Sequence, residues 1–188
     1  MEFNSLIQLR QSVRKYADKP VEREKLIACI EAARLAPSAS NSQPWTFVLV
    51  DEKQLLGKVA KLTFGPLGTF NKFVPEAPAI LVMVLEKPKL ITDIGGRLKK
   101  KEYPLIDIGI AAEHFCLQAA ELELGTCMLG WFNEPKIKEL LHIPVEKTIG
   151  LLITVGYAPD NYAQRKKIRK PLNEVLRLNG YGNVKISE

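Results

Sequence analysis

The chain has 188 residues, with 27 Lys or Arg against 21 Asp or Glu, a formal charge of +6 and a pI of about 9.2. Hydrophobic residues make up 46% and charged residues 26%, which excludes a disordered chain and predicts one domain over 1–188 with a core of its own. Polar residues interrupt Met1–Arg10, where a secretion signal needs an apolar stretch, and the longest strictly apolar run, Ala79–Leu85, is too short to cross a bilayer. A soluble, cytoplasmic protein with no membrane partner is expected, and its basicity leaves an anionic partner open.

Periodicity then alternates between helix and strand. Asn4–Arg10 reads as a short helix with Leu6, Ile7 and Leu9 inward, and Glu22–Ala36 as a longer one stopped by Pro37. Trp45–Val50 is a strand-like run, Gln54–Leu62 is helical, and Ala79–Leu85 reads as a strand buried on both faces. In Leu105–Leu124 the polar residues Asp107, His114, Gln118 and Glu121 fall in a narrow stripe, so this helix is buried in a core or against a partner, with Gly125 as its stop. Thr126–Trp131 follows as a strand, Glu134–Leu141 as a helix opened by Pro135, and Thr148–Gly156 as a second buried strand. Residues 157–188 form a polar, basic C-terminal arm without a core of its own. The fold class is α+β, a central mixed sheet flanked by helices.

Some chemistries drop out. Cys29, Cys116 and Cys127 lack C-x-x-C spacing and sit in apolar surroundings, so they read as small core residues. His114 and His142 belong to no metal-ligand pattern, and His114 and Cys116 are two apart, facing different ways on a helix. No metal site is expected.

Four stretches carry chemistry in combination. Arg10-Gln11-Ser12-Val13-Arg14 puts two guanidinium groups around a hydroxyl, a set suited to an anion as well as to a solvated helix end. Residues 36–45, Ala-Pro-Ser-Ala-Ser-Asn-Ser-Gln-Pro-Trp, form a donor-rich loop between prolines that is also an ordinary turn composition. Residues 125–131, Gly-Thr-Cys-Met-Leu-Gly-Trp, read as a strand whose glycine end opens backbone N–H groups, or as a plain strand end. Arg165–Lys170 is a basic run that suits a phosphate, a nucleic acid or solvent alone. No Walker loop or G-x-G-x-x-G is present, and Gly180-Tyr181-Gly182 lacks the third glycine.

Taken in order, and with Asn71 followed by Ala77-Pro78, these stretches resemble the nitroreductase family of FMN-dependent NAD(P)H oxidoreductases from about Phe3 to Val175. The resemblance implies a nitroreductase-like fold and an obligate-type homodimer with FMN at the interface. Arg10 and Ser12 from one chain end, and Lys167 and Arg169 from the other, match the phosphate contacts. Gln11 stands beside them where the family more often has Arg or His. Arg14 matches a cation near the flavin pyrimidine edge, and Asn71 an amide reading that edge. Leu129 and Gly130 match the strand end facing flavin N5 and O4. Pro37, Ser38, Ala39 and Asn41 match the loop that reaches the cofactor from the second subunit. Val74 stands where some members carry a cation, which leaves Arg14 as the main charge near the ring.

The implied reaction is ping-pong hydride transfer from NAD(P)H through the flavin to a nitroaromatic, quinone or similar small-molecule acceptor, with no side chain acting as nucleophile. Ene reduction, dehalogenation or flavin fragmentation on the same fold are alternatives, set by lid residues in Phe64–Phe73 or Ile91–Tyr103. A nucleic-acid module with Lys99–Lys101 and Arg165–Lys170 as its footprint is the alternative of a different class. Removing the five basic residues of Arg165–Lys170 takes the charge from +6 to +1, so the basicity is one local cluster and no nucleic-acid partner is expected.

Overall fold

Four β-rich runs become neighbours in one sheet. In the computed structural model, which describes residues 1–65, 68, 70–87, 96 and 101–182, the strands are β1 (Trp45–Val50), β2 (Ala79–Leu85), β3 (Gly125–Leu129) and β4 (Thr148–Gly156), in the order β1-β2-β4-β3. All three ladders are antiparallel. The parallel component is a single bridge from Ser12 to Thr126, which lays the N-terminal segment along the outer edge of β3.

Strand residues alternate faces, so β2 sends Leu81 and Met83 to one core and Ile80, Val82 and Val84 to the other. The first core is closed by the helices α2 (Arg23–Arg34) and α4 (Tyr103–Glu121), through Leu26, Cys29, Ala33, Phe115 and Cys116. The second is closed by α3 (Lys53–Lys61) and α5 (Glu134–Leu140), through Leu56, Val59 and Ile137. The three cysteines are free and buried. Two further short helices are α1 (Phe3–Leu9) and α6 (Leu172–Val175). None of these helices is long and apolar enough to cross a membrane.

Three expectations need correction. The apolar side of α1 is not inward: Leu6 is half-buried, Ile7 and Leu9 are exposed, and α1 has no buried residue. Among the described residues none buries Ile7 or Leu9. Gly125 does not stop α4. Glu123, at φ 64°, takes the left-handed position, and Leu124 N donates back to Ala119 O at 2.8 Å. Gly125 serves another end, because a Cβ there would lie 2.5 Å from Val13 Cγ2. It lets the N-terminal segment approach β3 closely. The third strand runs Gly125–Leu129 rather than Thr126–Trp131, and within the polar stripe of α4 Asp107 is buried. Of the two lid segments, most of Ile91–Tyr103 lies outside the described residues, as do Lys99 and Lys100 and residues 183–188 of the arm.

Candidate functional site

Residues 10–14 leave α1 in extended form and run beside β3. Val13 N donates to Thr126 O at 2.8 Å, and Gly125 leaves room for the Val13 side chain. Alternation along an extended chain puts Arg10, Ser12 and Arg14 on one side and Gln11 and Val13 on the other. Buried Tyr16 anchors the far end: its hydroxyl lies 3.2 Å from Val13 O and 2.7 Å from Thr154 Oγ1. Burial away from water pushes the Tyr16 phenol well above its ordinary range, so it stays a neutral hydrogen-bonding group.

The C-terminal arm returns to this segment. Gln164 Nε2 donates to Gln8 O at 3.1 Å, Arg165 N donates to Gln11 Oε1 at 3.1 Å, the Arg165 guanidinium donates to Ser12 O, and Lys167 Nζ donates to Arg10 O. Gln11 spends its other amide group on Ala163 O at 3.4 Å, so it ties the arm down. Arg10, Ser12 and Lys167 are thereby brought together from opposite ends of the chain. Arg169 is exposed next to them, its guanidinium donating to Ile168 O at 2.8 Å.

The charges of this cluster are mostly positive, with Glu113 as a carboxylate at its edge. Loss of water pushes the Lys167 ammonium below its ordinary pKa, and Arg10 and Arg169 push it further the same way. Glu113, 3.4 Å from Arg10 Nε, acts in the opposite sense. Such a group of converging cations is relieved by an anion with several acceptor oxygens, as a phosphate monoester has. A cavity of about 300 Å³ opens on the Gln11 side, lined among others by Arg10, Thr126, Tyr162 and Gln164.

A second group forms at the other end of β3. Four residue steps in extended chain, from Thr126 to Gly130, span about 13 Å. There Gly130 is exposed, with open space where a Cβ would stand, next to buried Leu129. Asn71, at φ 59°, donates through Nδ2 to Thr63 O at 2.9 Å and to Trp131 O at 3.2 Å. Both amide hydrogens go to the protein, so its Oδ1 is the group left to accept from a ligand N–H. Arg14 is exposed between the two groups, and its backbone N donates to Tyr162 OH at 3.0 Å. Val74 is fully buried in the second core, where a cation would be costly.

Pro37, Ser38, Ala39 and Asn41 are held elsewhere. Their loop hangs on α4 through Ala39 N, which donates to both carboxyl oxygens of Asp107 at 3.1 and 3.2 Å. Glu113, beside Arg10, is six residues further along the same helix, about 9 Å down its axis and about 240° around it. The single chain therefore presents the loop and the cation cluster on different sides of α4. Sequence reasoning missed Arg165 as an arm fastener, though it stands in the basic run. It also missed Tyr162 and the anchoring use of Asp107, whose partners are remote in sequence.

The donor set suits FMN: converging cations for the phosphate, an extended strand edge for the ribityl chain, and an open glycine end with an amide acceptor for the ring. Comparison with known proteins agrees. The Nitroreductase family model matches residues 7–157. A nitroreductase family protein from Clostridium novyi NT is 34% identical in sequence and superposes with a TM-score of 0.75, over 85% of this chain and 87% of that one. FMN reductase (NAD(P)H) of Bacillus subtilis is 30% identical over 187 residues, 92% of this chain and 72% of the relative. Iodotyrosine deiodinase of Drosophila melanogaster is 28% identical over 91% of this chain and 67% of the relative.

Proposed function

Because the chain belongs to the nitroreductase family and is an FMN-dependent NAD(P)H oxidoreductase, we propose that it reduces nitroaromatic, quinone or similar acceptors in a ping-pong order. Bound FMN supplies a two-electron carrier between NAD(P)H and the acceptor. The donor leaves as NAD(P)⁺, and a quinone acceptor leaves as the hydroquinone after taking two electrons and two protons.

In this reading Arg10, Ser12, Lys167 and Arg169 bind the phosphate, and Gln11 and Arg165 hold the two chain ends in register for it. Arg14 brings positive charge to the pyrimidine edge, which favours extra negative charge on the ring. Asn71 Oδ1 accepts from the ring N–H, and the backbone at Leu129 and Gly130 faces the reactive edge. A second copy supplies Pro37, Ser38, Ala39 and Asn41, which is why these residues stand apart from the cation cluster within one chain. The homodimer is supported by apolar side chains left exposed at Phe3, Ile7, Leu105, Ile106, Ile168, Leu172 and Val175. The basic run has its use in the phosphate site, so no nucleic-acid partner is proposed, and the compartment proposed is the cytoplasm.

The observation that carries this reading is the meeting of Lys167 with Arg10, 157 positions apart, in a cluster that depresses the lysine pKa. Titration with FMN, followed by quenching of flavin fluorescence, tests it. Lys167→Ala is expected to weaken binding by about tenfold or more, the scale of a lost charge-assisted hydrogen bond. Equal affinity in the variant and the wild type contradicts it. The deiodinase relative supports reductive dehalogenation as a second reading, and parallel assays with a nitroarene, a quinone and an iodophenol separate the two by relative kcat/KM.

A further inference from the structure

Residues 38–43 are built against local preference. Ser40, Asn41 and Gln43 all have positive φ, at 53°, 50° and 48°, although none is glycine. A side chain with a Cβ adopts this region at a cost, and three such residues within four positions hold only where the surroundings impose them. Part of the restraint is internal. Gln43 N donates to Ser38 Oγ at 2.9 Å, and Gln43 Nε2 donates to Asn41 Oδ1 at 2.9 Å.

The restraint from outside the loop is Asp107. Asp107 as a residue is 3% exposed, and both of its carboxyl oxygens accept from one backbone N–H, that of Ala39. Among the described residues Ala39 N is the one donor to this carboxyl group, and burying a carboxyl group is costly where a small apolar residue would fill the same core position. What this arrangement secures is the place and shape of the loop. Leu105 and Ile106, next to Asp107 on α4, are 47% and 54% exposed, so the anchor stands at the border of an uncovered apolar surface.

We propose that Asp107 is a positioning residue acting across the dimer: it fixes the loop that its own subunit lends to the FMN site of the other. This rests on the reading above, in which Pro37, Ser38, Ala39 and Asn41 reach the second subunit's cofactor. Asp107 touches neither flavin nor substrate. It holds Ala39 N–H, and through it the strained turn, in the form that meets the ligand. Loss of the carboxyl group lets the turn relax, and the site that suffers belongs to the partner.

Mixed dimers test this with FMN binding as the readout. In the Asp107→Ala homodimer, FMN affinity is expected to fall about tenfold. Asp107→Asn, which keeps a carbonyl acceptor, is expected to restore most of it. A dimer of one Asp107→Ala chain and one Lys167→Ala chain is expected to keep one site of wild-type affinity, because the Asp107→Ala chain carries the intact phosphate cluster and receives an intact loop. If Asp107 serves its own subunit or only the general fold, that mixed dimer has no tight site, and the proposal is overturned. Ala39→Pro is the second variant, removing the N–H donor while leaving the carboxyl group. Ser38, at φ −145° and ψ 154°, already has a backbone that tolerates a following proline. It is expected to give the same mixed-dimer stoichiometry, and a mixed dimer without a tight site counts equally against the proposal. Failure of the underlying reading shows separately, as a wild-type chain that binds no FMN or sediments as a monomer.

Discussion

Lys167 is drawn partly out of water and set beside Arg10 and Arg169, and all of these effects push its ammonium below the ordinary lysine pKa. A bound phosphate reverses the balance by favouring the charged form. FMN affinity should therefore fall as pH rises through the depressed lysine value. Lys167→Arg, whose guanidinium stays charged, should hold its affinity to higher pH. The effect on stability of the unliganded protein has the opposite sign. The unfolded chain binds the extra proton, so the penalty is fully present below the depressed value and is relieved as pH rises from there to the ordinary one. Fluorescence titrations across that window check the first statement, and thermal melts the second. The neighbouring cations separate in the same way. Arg169→Ala should weaken FMN binding about tenfold, whereas Lys166→Ala, outside the matched positions, should change it little. Equal losses in the two variants count against the assignment of Arg169.

At the level of elements, the close passage of residues 10–14 beside β3 depends on Gly125. A Cβ at that position would meet Val13 Cγ2, Cβ and Cγ1 at 2.5, 2.8 and 2.9 Å, and a β-branched side chain has little freedom to retreat. Gly125→Ala should destabilise the fold by about 1–3 kcal/mol, as other overpacked sites do. It should also loosen FMN, because Ser12 and Arg14 are carried by the displaced segment. A variant with unchanged melting temperature and affinity contradicts this account.

The regular elements were legible because their signals are local. β1, β2 and β4 begin and end where their apolar runs do, and α5 opens at Glu134 with Pro135 in its first turn. The inward side of α1 was misread because an amphipathic pattern says which side needs cover but not which molecule provides it. Asp107 and Arg165 escaped notice because their partners, Ala39 and residues 11–12, lie 68 and about 150 positions away, and no spacing rule spans that distance. Asn71 was found by its match, but the direction of its amide came from the carbonyls of Thr63 and Trp131.

For the whole molecule, apolar surface that one chain leaves uncovered includes α1, the start of α4 and the C-terminal arm, where Phe3, Leu105, Ile106, Ile168, Leu172 and Val175 are exposed. In the proposed dimer two copies cover these surfaces, and the loop of each subunit serves the cation cluster of the other. Sedimentation should give a dimer of 21.1 kDa chains. Phe3→Glu with Ile7→Glu should raise its dissociation constant while leaving the chain folded, since neither side chain is buried in the core. Five basic residues of the arm account for most of the formal charge of +6, and with these assigned to the proposed phosphate site, oligonucleotide binding with a steep salt dependence is not expected. The central claim is tested most directly by the visible spectrum of the purified protein titrated with FMN and then with NAD(P)H under anaerobic conditions. The expected result is a protein-bound flavin spectrum that bleaches on addition of NAD(P)H and returns with a quinone or nitroarene. A protein that binds no FMN in excess, or whose bound FMN stays oxidised with both NADH and NADPH, contradicts it.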